Sequence, residues 1–118
     1  MKVKEIIEIL NAEILCGNQD TDIEVNSACG ADLMSDVLAF VKDACVLLTG
    51  QINQQVIITA EMMDVSCIVF VRGKRPNTDV CNLADEIGTV VLTTEMTMFE
   101  ACGRLYASGL APTKRVER

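Results

Sequence analysis

From residue 44 onward the sequence falls into three units of one form, each an unbroken apolar run, a polar loop and a stretch of helical period. The runs are "ACVLLTG", "SCIVFVRGK" and "TVVLTT". The stretches that follow carry Val56, Ile57, Ala60 and Met63, then Val80, Cys81, Ala84 and Ile87, then Met98, Phe99, Cys102, Leu105 and Tyr106 at the spacing of one helix face. A strand that is apolar at every position cannot leave either face in water, so helices must cover both sides of its sheet. Short apolar strands alternating with helices therefore predict parallel strands joined by crossover helices. Asn53, Asn77 or Thr78, and Thr94 or Thr97 stand where helix N-caps are needed, and Gly88 where a left-handed residue would close the middle helix.

The first 43 residues are less regular. Val3, Ile6, Ile7 and Leu10 make a short amphipathic helix, and "AEILCG" reads as a strand stopped by Gly17. "NQDTD" is a turn cluster, and "IEVNSA" alternates Ile23, Val25 and Ser27 against Glu24 and Asn26, as a half-exposed strand does. In "CGADLMSDVLAFV" the residues Leu33, Met34, Val37, Leu38 and Val41 share a helical face, with Asp32 as the candidate N-cap. Asp32 and Asp36, four apart, read as a cap and a solvent-facing carboxylate rather than a shared cation site. The expected fold is α/β, a three-layer αβα sandwich with a mostly parallel, mixed sheet of about five strands. Residues 1–110 form one domain, and "APTKRVER", residues 111–118, is expected to be a polar tail.

Composition removes several functions. Seventeen acidic against 10 basic residues give a net charge of −7, the wrong sign for a nucleic-acid binder. No apolar stretch approaches the roughly 18–20 residues of a membrane span, and the N-terminus runs into an acidic amphipathic helix, so a cytoplasmic protein is expected. The six cysteines are scattered, the nearest two (Cys16 and Cys29) lying 13 residues apart, which is unlike a zinc knuckle or redox pair. They read as reduced core thiols, with neither metal nor cofactor expected. The absence of histidine excludes a Ser-His-Asp or Cys-His site within one chain. No G-x-x-x-x-G-K-[ST] or G-x-G-x-x-G occurs, and Glu95, Asp36 and Asp64 lack a recognisable base or nucleophile partner, so the chain is read as non-enzymatic.

Chemistry in a parallel sheet gathers at the carboxyl ends of the strands, where helix N-termini and loop amides converge. Three loops reach that edge, carrying Thr49, Gly50, Gln51 and Asn53; Arg72, Gly73, Lys74 and Arg75; and Thr93, Thr94, Glu95 and Thr97. The candidate ligand-binding residues are Thr49, Gly50, Asn53, Arg72, Gly73, Lys74, Thr93 and Thr94. Hydroxyls, glycines and cations in that set suit a phosphate or carboxylate, with Arg72 as the bidentate anchor. The competing reading is that polar residues merely end buried strands, Gly73 permitting a left-handed turn before Pro76.

"ADLMSDVLAF", "LLTGQINQQVIITAEMMDVSCIVFVRGKRP" and "VVLTTEMTMFEACGRLYASGL" resemble, in that order, stand-alone members of the DRTGG domain family. "VKEIIEILNAEILCG" resembles the start of that domain and of the related N-terminal domain of HPr kinase/phosphorylase. The letters D-R-T-G-G themselves are not spelled out in this chain. The resemblance implies a fold like the HPr kinase N-terminal domain and a non-catalytic regulatory accessory role; with the strand-edge cations above, the expected function is ligand sensing, with an anionic metabolite or nucleotide bound at that edge. It also implies an alternative, an assembly module acting as a homo-oligomer (dimer) or beside a redox enzyme such as an iron-only hydrogenase. The pairs Met62–Met63 and Met96–Met98, adaptable at contact surfaces, fit that alternative.

Overall fold

The computed structural model describes residues 1–40 and 44–113, in which helices and strands follow one another much as the apolar pattern requires. In chain order they are α1 (Val3–Leu10), β1 (Glu13–Cys16), β2 (Ser27–Gly30), α2 (Met34–Phe40), β3 (Cys45–Thr49) and α3 (Gln54–Met62). There follow β4 (Cys67–Phe70), α4 (Thr78–Ile87), β5 (Val90–Thr93), α5 (Met98–Ala107) and β6 (Ala111–Pro112). The strands form one sheet in the order β1-β5-β4-β3-β2-β6. Neighbours are parallel except β1, which runs antiparallel to β5, so the sheet is mixed.

β3, β4 and β5 are buried at every position, and alternate residues feed two separate cores. On one face Leu47, Ile68, Phe70 and Val91 pack beneath α2, α3 and α4. On the other, Val46, Leu48, Val69 and Leu92 pack beneath α1 and α5. Handedness explains this division. The chain steps from β2 to β5 in one direction, so its right-handed crossovers all lie on one face. The return from β5 to β6 runs the opposite way and puts α5 on the other face.

Strand content is the first of three differences from the sequence reading. The sheet has six strands rather than about five, because Ala111 and Pro112, placed in the expected tail, pair with Ser27 and Ala28. Residues 114–118 of that tail lie outside the described residues. The strand expected over "IEVNSA" starts at Ser27, although Val25 is buried and Glu24 exposed as the alternation requires. Upstream of it, Val25 N–H donates to Met1 O and Val3 N–H to Ile23 O, so this segment pairs with the N-terminus before joining β3.

Helix faces are the second difference. Met34 and Val37 of α2 are buried, but Leu33 and Leu38 are 61% and 39% exposed; Val41 lies outside the described residues. On α5 the buried positions are Ala101 and Leu105, with Met98 and Cys102 against the core, while Phe99 is 90% and Tyr106 72% exposed. A face running 98, 101, 102, 105 leaves 99 and 106 on the shoulder of the helix. Asp32 is the third: it lies outside the helix start, and its carboxylate serves another loop. Among the caps, Asn53, Asn77 and Thr97 accept from Val56, Val80 and Glu100 N–H, and Gly88 closes α4 at φ 86°.

Candidate functional site

Each of the three loops at the carboxyl edge leaves a strand whose last residue is buried, so polar groups begin abruptly there. After β3 the chain turns at Gly50, and two Asp32 contacts hold it. Gly50 N–H donates to Asp32 Oδ1 at 2.7 Å and Thr49 Oγ1 to the same oxygen at 3.2 Å. Thr49 Oγ1 also accepts from Gln51 N–H at 3.1 Å. After β4, Arg72 and Gly73 take successive positive φ values of 61° and 66°, as in a type I′ turn, and Lys74 N–H returns to Val71 O at 3.3 Å. The lysine side chain then reaches across, its Nζ donating to Gly50 O at 2.9 Å.

The loop after β5 is stitched to the loop after β4. Arg72 N–H donates to Met96 O at 2.8 Å, Gly73 N–H to Thr94 O at 2.7 Å, and Thr93 Oγ1 to Lys74 O at 2.9 Å. Thr94 Oγ1 is directed inward to Leu10 O at 2.7 Å. A Cβ at Gly73 would stand 2.5 Å from Glu95 Oε2, so Glu95 covers this turn closely. β4 sends its chain to one face and β5 to the other, which makes the gap between them a topological switch point, the usual ligand crevice of such sheets. Here the two loops fill that gap with their own hydrogen bonds.

The open space lies one strand over. A cleft of about 480 Å³ separates residues 50–53 from residues 74–77. Both Asn53 and Asn77, the N-caps of α3 and α4, stand on its walls, so two helix N-termini open into it. The first turn of α3 contains no acidic residue; that of α4 contains Asp79. Lys74 and Arg75 supply positive charge, and each is already partnered, Lys74 by Gly50 O and Arg75 by the Glu13 carboxylate. Asp32 tempers the charge: the point where a Gly50 Cβ would sit is 3.4 Å from Asp32 Oδ1 and 3.6 Å from Lys74 Nζ.

Of the eight candidate residues, Gly50, Asn53 and Lys74 line the cleft. Thr49, Thr93 and Thr94 are buried, with hydroxyls committed to Asp32, Lys74 O and Leu10 O. Arg72 is exposed beside the cleft rather than in it, and among the described residues it forms no ion pair. Arg75 and Asn77 belong to the cleft; the sequence had marked them only as a loop cation and a cap. Asp32 reads in the sequence as a helix N-cap, because its actual partners lie in a loop 17 residues away.

The thiols take no part in this cleft. All six are reduced thiols, and Cys16, Cys45 and Cys67 are buried. Burial, reinforced by the neighbouring Cys81 sulfur, pushes Cys16 from 9.0 up to about 12, and burial beside Cys45 does the same to Cys67. Burial also raises Cys29 and Cys102. These groups are poor nucleophiles and poor metal ligands as they stand. Among the described residues no three acidic or thiol side chains gather as a metal site, and no helix is long and apolar enough to cross a membrane.

Fold and site together define a small α/β domain with one face of polar loops. Residues 5–108 match the DRTGG domain family, and the chain belongs to it. The fold also matches a solved structure of the CBS and DRTGG domains of the regulatory region of a Clostridium perfringens pyrophosphatase, complexed with its activator diadenosine tetraphosphate. The likeness has a TM-score of 0.74 at 19% identity and covers 96% of this chain and 50% of that one. At this identity it concerns the fold, and this chain spans half the neighbour's length. No curated protein matches the chain.

Proposed function

We propose that this domain is a non-catalytic, ligand-sensing regulatory module whose ligand is an anionic metabolite or nucleotide held between residues 50–53 and 74–77. The observation that carries this reading is the convergence of two N-capped helices on one cleft beside Lys74 and Arg75. Helix N-termini present unpaired amides and positive dipole ends to an anion, and Lys74 adds a full charge. The cleft's volume of about 480 Å³ falls in the range of small-molecule sites. The pyrophosphatase neighbour is a regulatory region bound to a nucleotide activator, which supports a sensing role for domains of this kind.

In this reading a bound anion competes with Gly50 O for Lys74 and with Glu13 for Arg75, so binding loosens two contacts that now bridge separate elements. Arg72, exposed and without an ion partner among the described residues, is the cation free to swing toward a larger ligand. The test is a thermal-shift series with inorganic phosphate, acetyl phosphate, citrate, ATP and diadenosine tetraphosphate. A ligand at about 100 times its Kd adds about 2.7 kcal/mol, or on the order of 10 °C for a chain of this size. Lys74→Ala should abolish that rise. A flat response to all five anions would remove the proposal.

A further inference from the structure

β1 carries a bulge that re-aims a thiol. Its pairing with β5 slips between Ile14, opposite Leu92, and Cys16, opposite Val91. Ile14 packs into the core beneath α1 and α5, and unbroken alternation would point Cys16 the same way. The bulge instead turns Cys16, with Leu15, into the core beneath α2, α3 and α4, where Cys81 of α4 also packs. Two hydrogen bonds fix the strand's exit against that helix. Gly17 N–H donates to Asp85 Oδ1 at 2.6 Å, and Asn18 N–H to Thr89 O at 3.2 Å. Asp85 lies four residues beyond Cys81 on the same helix face, so the contact at residue 17 sets Cys81 beside residue 16. The two thiols are neighbours, close enough for the Cys81 sulfur to bear on the Cys16 proton. From the bulge and these contacts we infer that Cys16 and Cys81 are a redox-responsive pair, closed to a disulfide by a peroxide.

The other cysteines are not arranged this way. Cys45 and Cys67 sit on adjacent strands but enter opposite cores, and Cys29 and Cys102 also belong to opposite cores. Cys29 and Cys45 share a core, yet on β2 and β3 they are diagonal, with Cys29 opposite Leu47. Such a diagonal is about 8 Å, beyond the Cα separation a disulfide can span. Exposure assigns the roles within the pair. Cys81 is partly exposed and Cys16 buried, so peroxide meets Cys81 first. The Cys81 thiolate attacks one peroxide oxygen, the O–O bond breaks, and the departing hydroxide takes up the proton Cys81 released, leaving a sulfenic acid and water. The Cys16 sulfur then attacks the sulfenic sulfur. The S–S bond forms, the S–O bond breaks, and the Cys16 proton leaves with the hydroxyl as a second water. Two thiols thereby give up two electrons, and one peroxide becomes two waters. A dithiol reverses the change by exchange, ending as its own disulfide.

The bond ties β1 to α4. Glu13 at the start of β1 holds Arg75, and Asn77 at the start of α4 stands on the cleft wall. Resting on the function proposed above, oxidation thus fixes two supports of the anion cleft. The disulfide itself is read by mass without any anion, which keeps its failure distinct from failure of the cleft. The test treats the reduced full chain with a small excess of hydrogen peroxide, then denatures and alkylates it. Two of the six thiols should be lost to alkylation, with a mass loss of two hydrogens, and dithiothreitol should restore both. Cys81→Ser should abolish that loss, whereas Cys29→Ser and Cys102→Ser should retain it. In Cys16→Ala the sulfenic acid at Cys81 should persist and be trapped by dimedone. A chain that keeps all six thiols, or that gains oxygen atoms without losing hydrogens, overturns the inference. So does a disulfide that survives Cys81→Ser.

Discussion

Replacing Asp32 should unpin the loop that forms one wall of the cleft, and the cost can be worked from two hydrogen bonds. Asp32 Oδ1 accepts from Gly50 N–H at 2.7 Å and from Thr49 Oγ1 at 3.2 Å. Bonds to a charged group contribute about 1.5–3 kcal/mol each when buried. The Gly50 contact is exposed and the Thr49 contact is long, so each falls below that range to about 1 kcal/mol, the worth of an ordinary hydrogen bond, and Asp32→Ala should cost about 2 kcal/mol in all. With an unfolding entropy of about 2.1 cal/mol/K per residue, the 118-residue chain loses about 4 °C of Tm per kcal/mol. The expected drop is therefore about 8 °C. Asp32→Asn keeps an acceptor for the Gly50 amide and forfeits only the charge, so it should lose about half as much. Thermal and urea unfolding followed by circular dichroism give both numbers. The reasoning fails if Asp32→Ala stays within 0.5 kcal/mol of wild type, the scatter of ordinary surface substitutions. Asp32→Asn carries a second consequence. It removes a negative charge next to Lys74, so under the proposed function it should tighten anion binding while lowering stability, a pairing that simple loop damage would not produce.

Three further outcomes follow from the geometry. Gly17 and Gly88 share positive φ values of 84° and 86°, yet a Cβ at Gly17 would overlap the Thr89 carbonyl oxygen while one at Gly88 meets nothing within 4 Å. Gly88→Ala should cost about 1 kcal/mol, whereas Gly17→Ala should cost at least about 4 kcal/mol or prevent folding, measured by urea denaturation. Thiol ionisation sets an alkaline limit on stability. Cys16 and Cys67 are raised from 9.0 to about 12 in the folded chain, so they keep protons there that the unfolded chain releases. Their contribution is full below about pH 9 and is lost as pH rises toward 12, and Cys67→Ala should flatten that decline in urea midpoints. Native-state alkylation at pH 8 should spare Cys16, Cys45 and Cys67, with all six thiols reacting only after unfolding.

The architecture was legible because strands buried on both faces cannot be written any other way. Val46, Leu47 and Leu48 must all be apolar when odd and even positions enter different cores, and the helix faces at Val56–Ile57–Ala60 and Val80–Ala84 follow from the same constraint. Weaker signals failed where few residues carried them. β6 has two residues and is defined only by its partner, so "APTKRVER" looks like a tail from composition alone. Phe99 and Tyr106 illustrate a different limit. Periodicity shows that α5 has an apolar arc, but not how much of that arc the sheet covers, and the two aromatics lie on the part left bare.

The sequence reading spread its candidates over three loops without separating the two gaps between them, and the cause is specific. Residues at strand ends can be assigned to an edge from the alternation of elements, but which loops face each other across a gap depends on hydrogen bonds between segments far apart in sequence. Thr93 and Lys74, 19 residues apart, join the loops of β5 and β4, and Gly73 with Thr94 closes the same seam. A threonine hydroxyl that donates its proton to a loop carbonyl cannot also donate to an anion, so the β4–β5 gap is shut by residues that look like ligand contacts in the sequence. Lys74 joins both sides of the question. Its backbone carbonyl helps seal the switch point, while its ammonium crosses to Gly50 O in the neighbouring gap. The seam therefore fixes the root of Lys74 and leaves its tip as the movable part. That arrangement suits a sensor: replacing Lys74 by Met should preserve the seam, which uses only its main chain, and remove the response to anions.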